Sequence, residues 1–132
     1  MRVEVHTRQR EEFVDITARV AEAVAEQGLW SGAVLVASPH TTAGITVNEN
    51  ADPDVVTDLL AGLSRLAPRD AGWRHAEGNS DAHLKTAMVG TSVLVPVEDG
   101  KLVLGVWQAV YFAEFDGPRS RSVDVTLLSG AE

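Results

Sequence analysis

Val3 and Val5 alternate with Arg2, Glu4 and His6 up to Thr7, the two-residue period of a half-buried strand with His6 on its outward side. The period then lengthens. From Asp15 or Thr17 onward, Ile16, Val20, Ala23, Val24 and Gln27 fall on one helical face, and Gly28 supplies a stop. Gly32 to Ala37 is an unbroken apolar run, the mark of a buried strand; Ser38-Pro39-His40-Thr41-Thr42 interrupts it and Ala43 to Asn48 resumes strand character. Asp52-Pro53 opens a second helix, with aspartate as N-cap and proline at the first helical position. Val56, Leu59, Leu60, Leu63 and Leu66 give it an apolar face, and Pro68 ends it. Residues 68 to 80 read as a polar loop, and Asp81 as the cap of a short helix that holds His83, Leu84 and Met88 and closes at Gly90.

The remainder is β in character. Val93–Val97 and Leu102–Val106 flank Glu98-Asp99-Gly100, a hairpin signal, and Gln108–Phe115 and Ser122–Leu128 flank a turn at Asp116-Gly117-Pro118-Arg119. Six or seven strands and two or three helices, out of strict alternation, predict an α+β fold with a mostly antiparallel sheet or a sandwich. A doubly wound parallel sheet is the weaker alternative. No repeat or linker interrupts residues 1–132, which read as a single domain.

Composition narrows the function classes. The chain has 132 residues, enough for one real core, and 45% of them are apolar. Nineteen acidic residues against eleven basic ones give a net charge of −8, which argues against a general nucleic-acid binder. With no cysteine, disulfides, thiolate zinc sites, iron–sulfur clusters and a cysteine nucleophile are excluded. A charged beginning and the lack of a membrane-length apolar stretch make a cytoplasmic protein, with no membrane partner, the expectation.

Candidate chemistry lies in the polar interruptions. His40 follows a buried strand and precedes two hydroxyl residues, a rigid mount for an imidazole that could ligate a metal, shuttle a proton or simply hydrogen-bond a carbonyl. His75 and His83 flank Gly78-Asn79, eight apart, which is not the spacing of two ligands on one helical turn. Three imidazoles without a thiol would suit an open zinc site; unrelated surface histidines are the alternative on spacing. Asp52 and Asp54 are accounted for by helix capping, whereas Glu49 lies outside the helix and is a candidate general base or ligand support. Gln108 and Glu114 are an even number apart on one strand. Glu114 therefore needs either a wet rim or a partner. Arg119 and Arg121 form a two-residue fork suited to phosphate or carboxylate, or else pair with Glu114 or Asp116. Neither glycine-rich phosphate motif is present, so no nucleotide cofactor is expected.

Together these stretches resemble the YjbQ-like family. The resemblance runs through Pro39-His40-Thr41-Thr42-Ala43-Gly44-Ile45-Thr46-Val47-Asn48-Glu49-Asn50, Asp52-Pro53-Asp54-Val55 and Asp58-Leu59. It continues with His75, Gly78-Asn79, Ala82-His83-Leu84 and Gly90-Thr91-Ser92, then Gly105-Val106-Trp107-Gln108, Glu114 and Gly117-Pro118-Arg119-Ser120-Arg121. Relatives carry the name secondary thiamine-phosphate synthase. The resemblance implies an α+β domain with a β-sandwich, a homotrimer with sites near subunit boundaries, and convergence of His40, His75 and His83. The implied reaction joins a pyrimidine methyl pyrophosphate to a thiazole phosphate with loss of pyrophosphate. Two departures are Trp73-Arg74, where relatives often have an aromatic followed by an acid, and Ala51, where some carry cysteine; no thiol is essential in this chain.

On this basis the expected site has His40, Glu49 and Glu114 as catalytic groups. Thr41, Asn79, Gln108, Arg119 and Arg121 are expected to bind a small phosphorylated or anionic substrate, and His40, His75 and His83 a divalent metal. Imidazole donors favour zinc over magnesium. The alternative is a homotrimer that binds metal or ligand without turnover.

Overall fold

Burial is continuous from Ala109 to Phe115, so the strand that carries these residues must be covered on both faces. In the computed structural model, which describes residues 1–130, this strand is the centre of a three-stranded sheet. The strands are β1 (Arg2–His6), β2 (Glu12–Asp15), β3 (Gly32–Ala37), β4 (Ala43–Glu49), β5 (Ser92–Glu98), β6 (Lys101–Leu102), β7 (Gln108–Glu114) and β8 (Ser120–Ser129). The helices are α1 (Thr17–Glu26), α2 (Pro53–Leu66) and α3 (Ser80–Val89). One sheet runs β1-β8-β3-β5-β6 and the other β2-β7-β4, and the pairings are antiparallel. The α+β sandwich is thus observed, with eight strands and three helices among the described residues.

The main core lies between the sheets. Val5, Val34, Val36, Val95, Val97, Val123 and Val125 face Ile45, Val110 and Phe112, with Ile16, Val20, Ala23 and Val24 of the α1 segment packed into the same cluster. On the other face of β7, Ala113 and Phe115 pack with Ala82 of α3, and Leu60 and Leu63 of α2 lean on that second cluster. Burying Phe112 and Phe115 on opposite faces contributes on the order of 2–3 kcal/mol each. This is why β7 runs from Ala109 to Ala113 without a charged residue instead of alternating apolar with polar.

Local signals account for most boundaries. Asp52 caps α2 by accepting the Asp54 N–H at 2.9 Å, with Pro53 at the first position. Asp99 and Gly100 take positive φ of 52° and 73°, the paired left-handed conformation of a tight β-hairpin between β5 and β6. Three elements differ from expectation. The sequence pattern does not reveal β2, because Glu12–Asp15 is short and polar at both ends. The second hairpin strand shrinks to Lys101–Leu102. Finally, α3 begins one residue before Asp81, and Asp81 turns inward to an ion-pair cluster instead of capping it.

Candidate functional site

Two polar residues point into the sandwich at its end. Glu114 continues the inward parity of Val110 and Phe112 on β7, and Arg121 that of Val123 and Val125 on β8. Glu114 is 0% exposed and Arg121 6%. The Arg121 Nε donates to both carboxylate oxygens at 2.9 and 3.2 Å, and its Nη2 donates to Glu114 Oε2 and, at 2.8 Å, to Thr42 Oγ1. Thr7 Oγ1 donates to Glu114 Oε1 at 2.8 Å, and the backbone N–H groups of Phe115 and Asp116 donate to Oε2 at 3.1 and 3.3 Å. The apolar core is closed at this end by a hydrogen-bonded ion pair, the condition under which buried charge is tolerated.

On this plug sits a cavity of about 370 Å³ lined by Pro39, His40, Thr41, Thr42, Glu77, Asn79, His83, Asp116, Arg119 and Arg121. The β3–β4 connection supplies His40 and Thr41, the start of α3 supplies Asn79 and His83, and the β7–β8 turn supplies Asp116 and Arg119. Gly117 shapes that turn. A Cβ there would run into the Gln9 carbonyl oxygen and stand 2.8 Å from Thr7 Oγ1 and 2.9 Å from Glu114 Cγ.

Each group is held in place by identifiable partners. His40 accepts the Ser122 backbone N–H at Nε2, 3.0 Å away, and its ring meets Phe112 edge-on at 6.3 Å between centroids. Burial, reinforced by the positive charge of Arg121, lowers the His40 pKa below 6.5. Arg119 donates through Nε to the Asp116 carbonyl at 2.9 Å and through Nη2 to the Asp116 carboxylate at 3.1 Å. Asn79 Nδ2 donates to the same carboxylate at 2.9 Å, while Asn79 Oδ1 is buried without a partner among the described residues. Arg121 Nη1 has no partner among the described residues and is not sealed from solvent.

The structure therefore gathers His40, Thr41, Asn79, His83, Arg119 and Arg121 at one cavity, with Glu114 beneath it. His75 stands behind His83, with ring centroids 5.5 Å apart, and lines a neighbouring groove with Trp73 and Arg69. Two expected site residues lie elsewhere. Glu49 pairs with Gln108 at the far end of β4 and β7, whereas the cavity end is marked by the Ala43–Glu114 pair. Six residue steps along the strand separate the two ends, roughly 20 Å. Gln108 accepts the Gly105 N–H at 2.7 Å and lines a different groove, with Val103 and Leu104. Parity placed Gln108 and Glu114 on one face correctly but says nothing of their separation along it.

The three-imidazole zinc centre does not fit this geometry. Among the described residues no three His, Asp or Glu side chains are grouped closely enough to hold a metal ion, and the His40 Nε2 lone pair is already used by Ser122. Sequence reasoning also missed Glu77, 3.7 Å from His75, and the cluster under α3. There Asp81 and Lys85, 0% and 1% exposed, join Arg10 and Glu11: Lys85 Nζ donates to Glu11 at 2.8 Å, and Arg10 donates to both Asp81 oxygens at 3.0 and 3.2 Å. Burial pushes the Asp81 carboxyl up, but hydrogen bonds from Arg10 and Lys85 outweigh it and hold the pKa below its ordinary 3.8. The Asp81-to-Lys85 spacing of four was the available signal.

The family model of UPF0047 YjbQ-like proteins matches residues 1–130. The chain belongs to the YjbQ-like (UPF0047) family. It is 48% identical over 127 residues to the UPF0047 protein YugU of Bacillus subtilis, covering 96% of each chain. It is also 48% identical over 125 residues to the UPF0047 protein MJ1081 of Methanocaldococcus jannaschii, covering 95% of this chain and 91% of that one. Among solved structures, a YjbQ/UPF0047-family protein of Clostridium acetobutylicum superposes with a TM-score of 0.95 at 48% identity, covering 97% and 99% of the two chains. The protein TT1486 of Thermus thermophilus gives 0.91 at 50% identity with the same coverage. The sandwich described above is therefore the YjbQ-like fold.

Proposed function

We propose that this YjbQ-like protein is an enzyme acting on a small phosphorylated or otherwise anionic molecule bound in the cavity above the Glu114–Arg121 pair. One observation carries the reading: Arg121 is locked through Nε and Nη2 while its Nη1 has no partner among the described residues, and Arg121 and Arg119 line one cavity. A guanidinium fixed on one edge and open on the other binds an oxyanion without first losing side-chain entropy. His40 and His83 are the groups placed to hold or move a proton, and Thr41 and Asn79 line the same walls to orient the ligand. Glu114 acts through Arg121 and is a positioning residue.

The specific version, drawn from the resemblance, is thiamine-phosphate synthesis in a cytoplasmic setting. A carbon–nitrogen bond forms between the pyrimidine methylene and the thiazole nitrogen, and the carbon–oxygen bond to pyrophosphate breaks. The test is pyrophosphate release from those two substrates. Turnover that is lost in both Arg119→Ala and His83→Ala supports the reading. Failure of inorganic phosphate and pyrophosphate to bind at all overturns it.

The alternative is a homotrimer that binds metal or ligand without turnover. Its assembly, which the first reading shares, is supported by an apolar strip on the outer face of the five-stranded sheet, where Leu94 is 60% and Leu128 45% exposed beside Leu35 and Pro96. Phosphate binding with a trimeric mass, and no product from a panel of phosphorylated substrates, selects this second reading.

A further inference from the structure

His40 is the residue whose role the geometry constrains most tightly. A neutral imidazole has one donor nitrogen and one acceptor nitrogen. In this chain the acceptor is assigned by the backbone: the Ser122 N–H points at Nε2 from 3.0 Å. The proton of the neutral ring therefore sits on Nδ1, which has no partner among the described residues and is not sealed from solvent. Moving that proton to Nε2 would set two donors against each other and orphan the Ser122 amide inside β8. A metal ion bound at Nε2 would displace the same backbone bond. One bound at Nδ1 would force the proton onto Nε2.

We infer that His40 is a substrate-binding hydrogen-bond donor, acting through Nδ1–H beside Arg121 Nη1 on a single oxyanion, and that it takes no part in metal ligation. Arg121 and Ser122 are consecutive on β8, so the strand that fixes the guanidinium also fixes the tautomer of the ring. Phe112 holds the plane of the ring from the core side. The donor role rests on the oxyanion reading above; the tautomer does not.

The experiment uses the full chain labelled with ¹⁵N-histidine and ¹⁵N-arginine, with two-bond ¹H–¹⁵N correlations of the histidine rings recorded at pH 8. The expected pattern is a protonated Nδ1 and an unprotonated Nε2 for His40; the reverse pattern overturns the proposal. Inorganic phosphate is then titrated. The His40 ring and the Arg121 side-chain signals should move with one midpoint, and a His40 ring that stays still while Arg121 moves refutes the donor role. Phosphate that moves neither refutes the oxyanion reading and leaves the tautomer result standing on its own. Zinc chloride, added separately, should leave His40 unmoved; His40 shifting together with His75 and His83 would establish the triad and end the inference. His40→Asn, which keeps an amide donor near the Nδ1 position, should retain phosphate affinity within a few-fold. His40→Ala should lose about tenfold, the scale of one hydrogen bond to a charged group. Equal losses in the two variants would show that the donor is not what matters.

Discussion

Replacing Glu114 by Gln keeps the shape of the side chain and removes its charge. The carboxylate takes hydrogen bonds from Thr7, from the N–H groups of Phe115 and Asp116, and from Nε and Nη2 of Arg121. An amide offers one acceptor oxygen, so its NH₂ must face at least one of these donors, and Arg121 is left charged at 6% exposure. Breaking one side of a buried pair costs about 3–5 kcal/mol. In a domain of 132 residues each kcal/mol moves Tm by roughly 3–6 °C, so Glu114→Gln should lower Tm by about 10–30 °C. Urea unfolding should show a lower midpoint with an unchanged slope. The double replacement Glu114→Leu with Arg121→Met removes both charges and should recover much of that loss. A single variant within about 3 °C of the parent, or a double variant less stable than Glu114→Gln, would refute the account of the pair as a coupled plug.

Asp81 should make the protein acid-sensitive in a defined window. Its folded pKa lies below 3.8, so its stabilisation is present above that value and is lost as pH falls through the lower folded one. The difference in urea midpoint between the parent and Asp81→Asn should therefore shrink below about pH 4; a difference that holds constant or widens on acidification contradicts this. Gly117→Ala must displace the Gln9 carbonyl or the Glu114 side chain, and should cost about 1–3 kcal/mol in chemical unfolding while weakening phosphate binding; an unchanged midpoint rejects the close approach. Arg119 is half exposed, so Arg119→Ala should change stability by no more than about 1 kcal/mol yet reduce phosphate affinity in titration calorimetry; unchanged affinity would remove Arg119 from the site.

Legibility in the sequence followed the range of the interaction concerned. Strands and helices with a clear period, caps such as Asp52-Pro53 and the Asp99-Gly100 turn rest on neighbours a few residues away, and these were readable. β2 was not, because only pairing with β7 makes Glu12–Asp15 a strand. The site divided in the same way. Residue type singled out His40, His83, Arg119 and Arg121, and the cavity unites them. Distance along a strand separated Glu49 and Gln108 from them, and no local pattern encodes that. Asp81 illustrates the opposite failure: its position before an apolar helix looked like a cap, but Arg10, 71 residues away, claims its carboxylate.

Charge at the cavity is close to balanced, and that bears on how it can select a ligand. Arg119 and Arg121 are offset on its walls by Glu77 and Asp116, with Glu114 directly beneath, in a chain that is already acidic overall. A diffuse positive potential therefore cannot be what draws an anion in. Selectivity must come from directed donors: an open guanidinium edge, a ring N–H whose tautomer the backbone sets, and Arg119 tethered to its own turn. Such donors reward an oxyanion of the right shape and give little to a generic polyanion, because the surrounding carboxylates repel any charge that does not reach them. On the oxyanion reading proposed above, the buried ion pair serves recognition as well as the fold. By consuming one edge of Arg121 it cancels most of that residue's long-range field while fixing the orientation of the other edge.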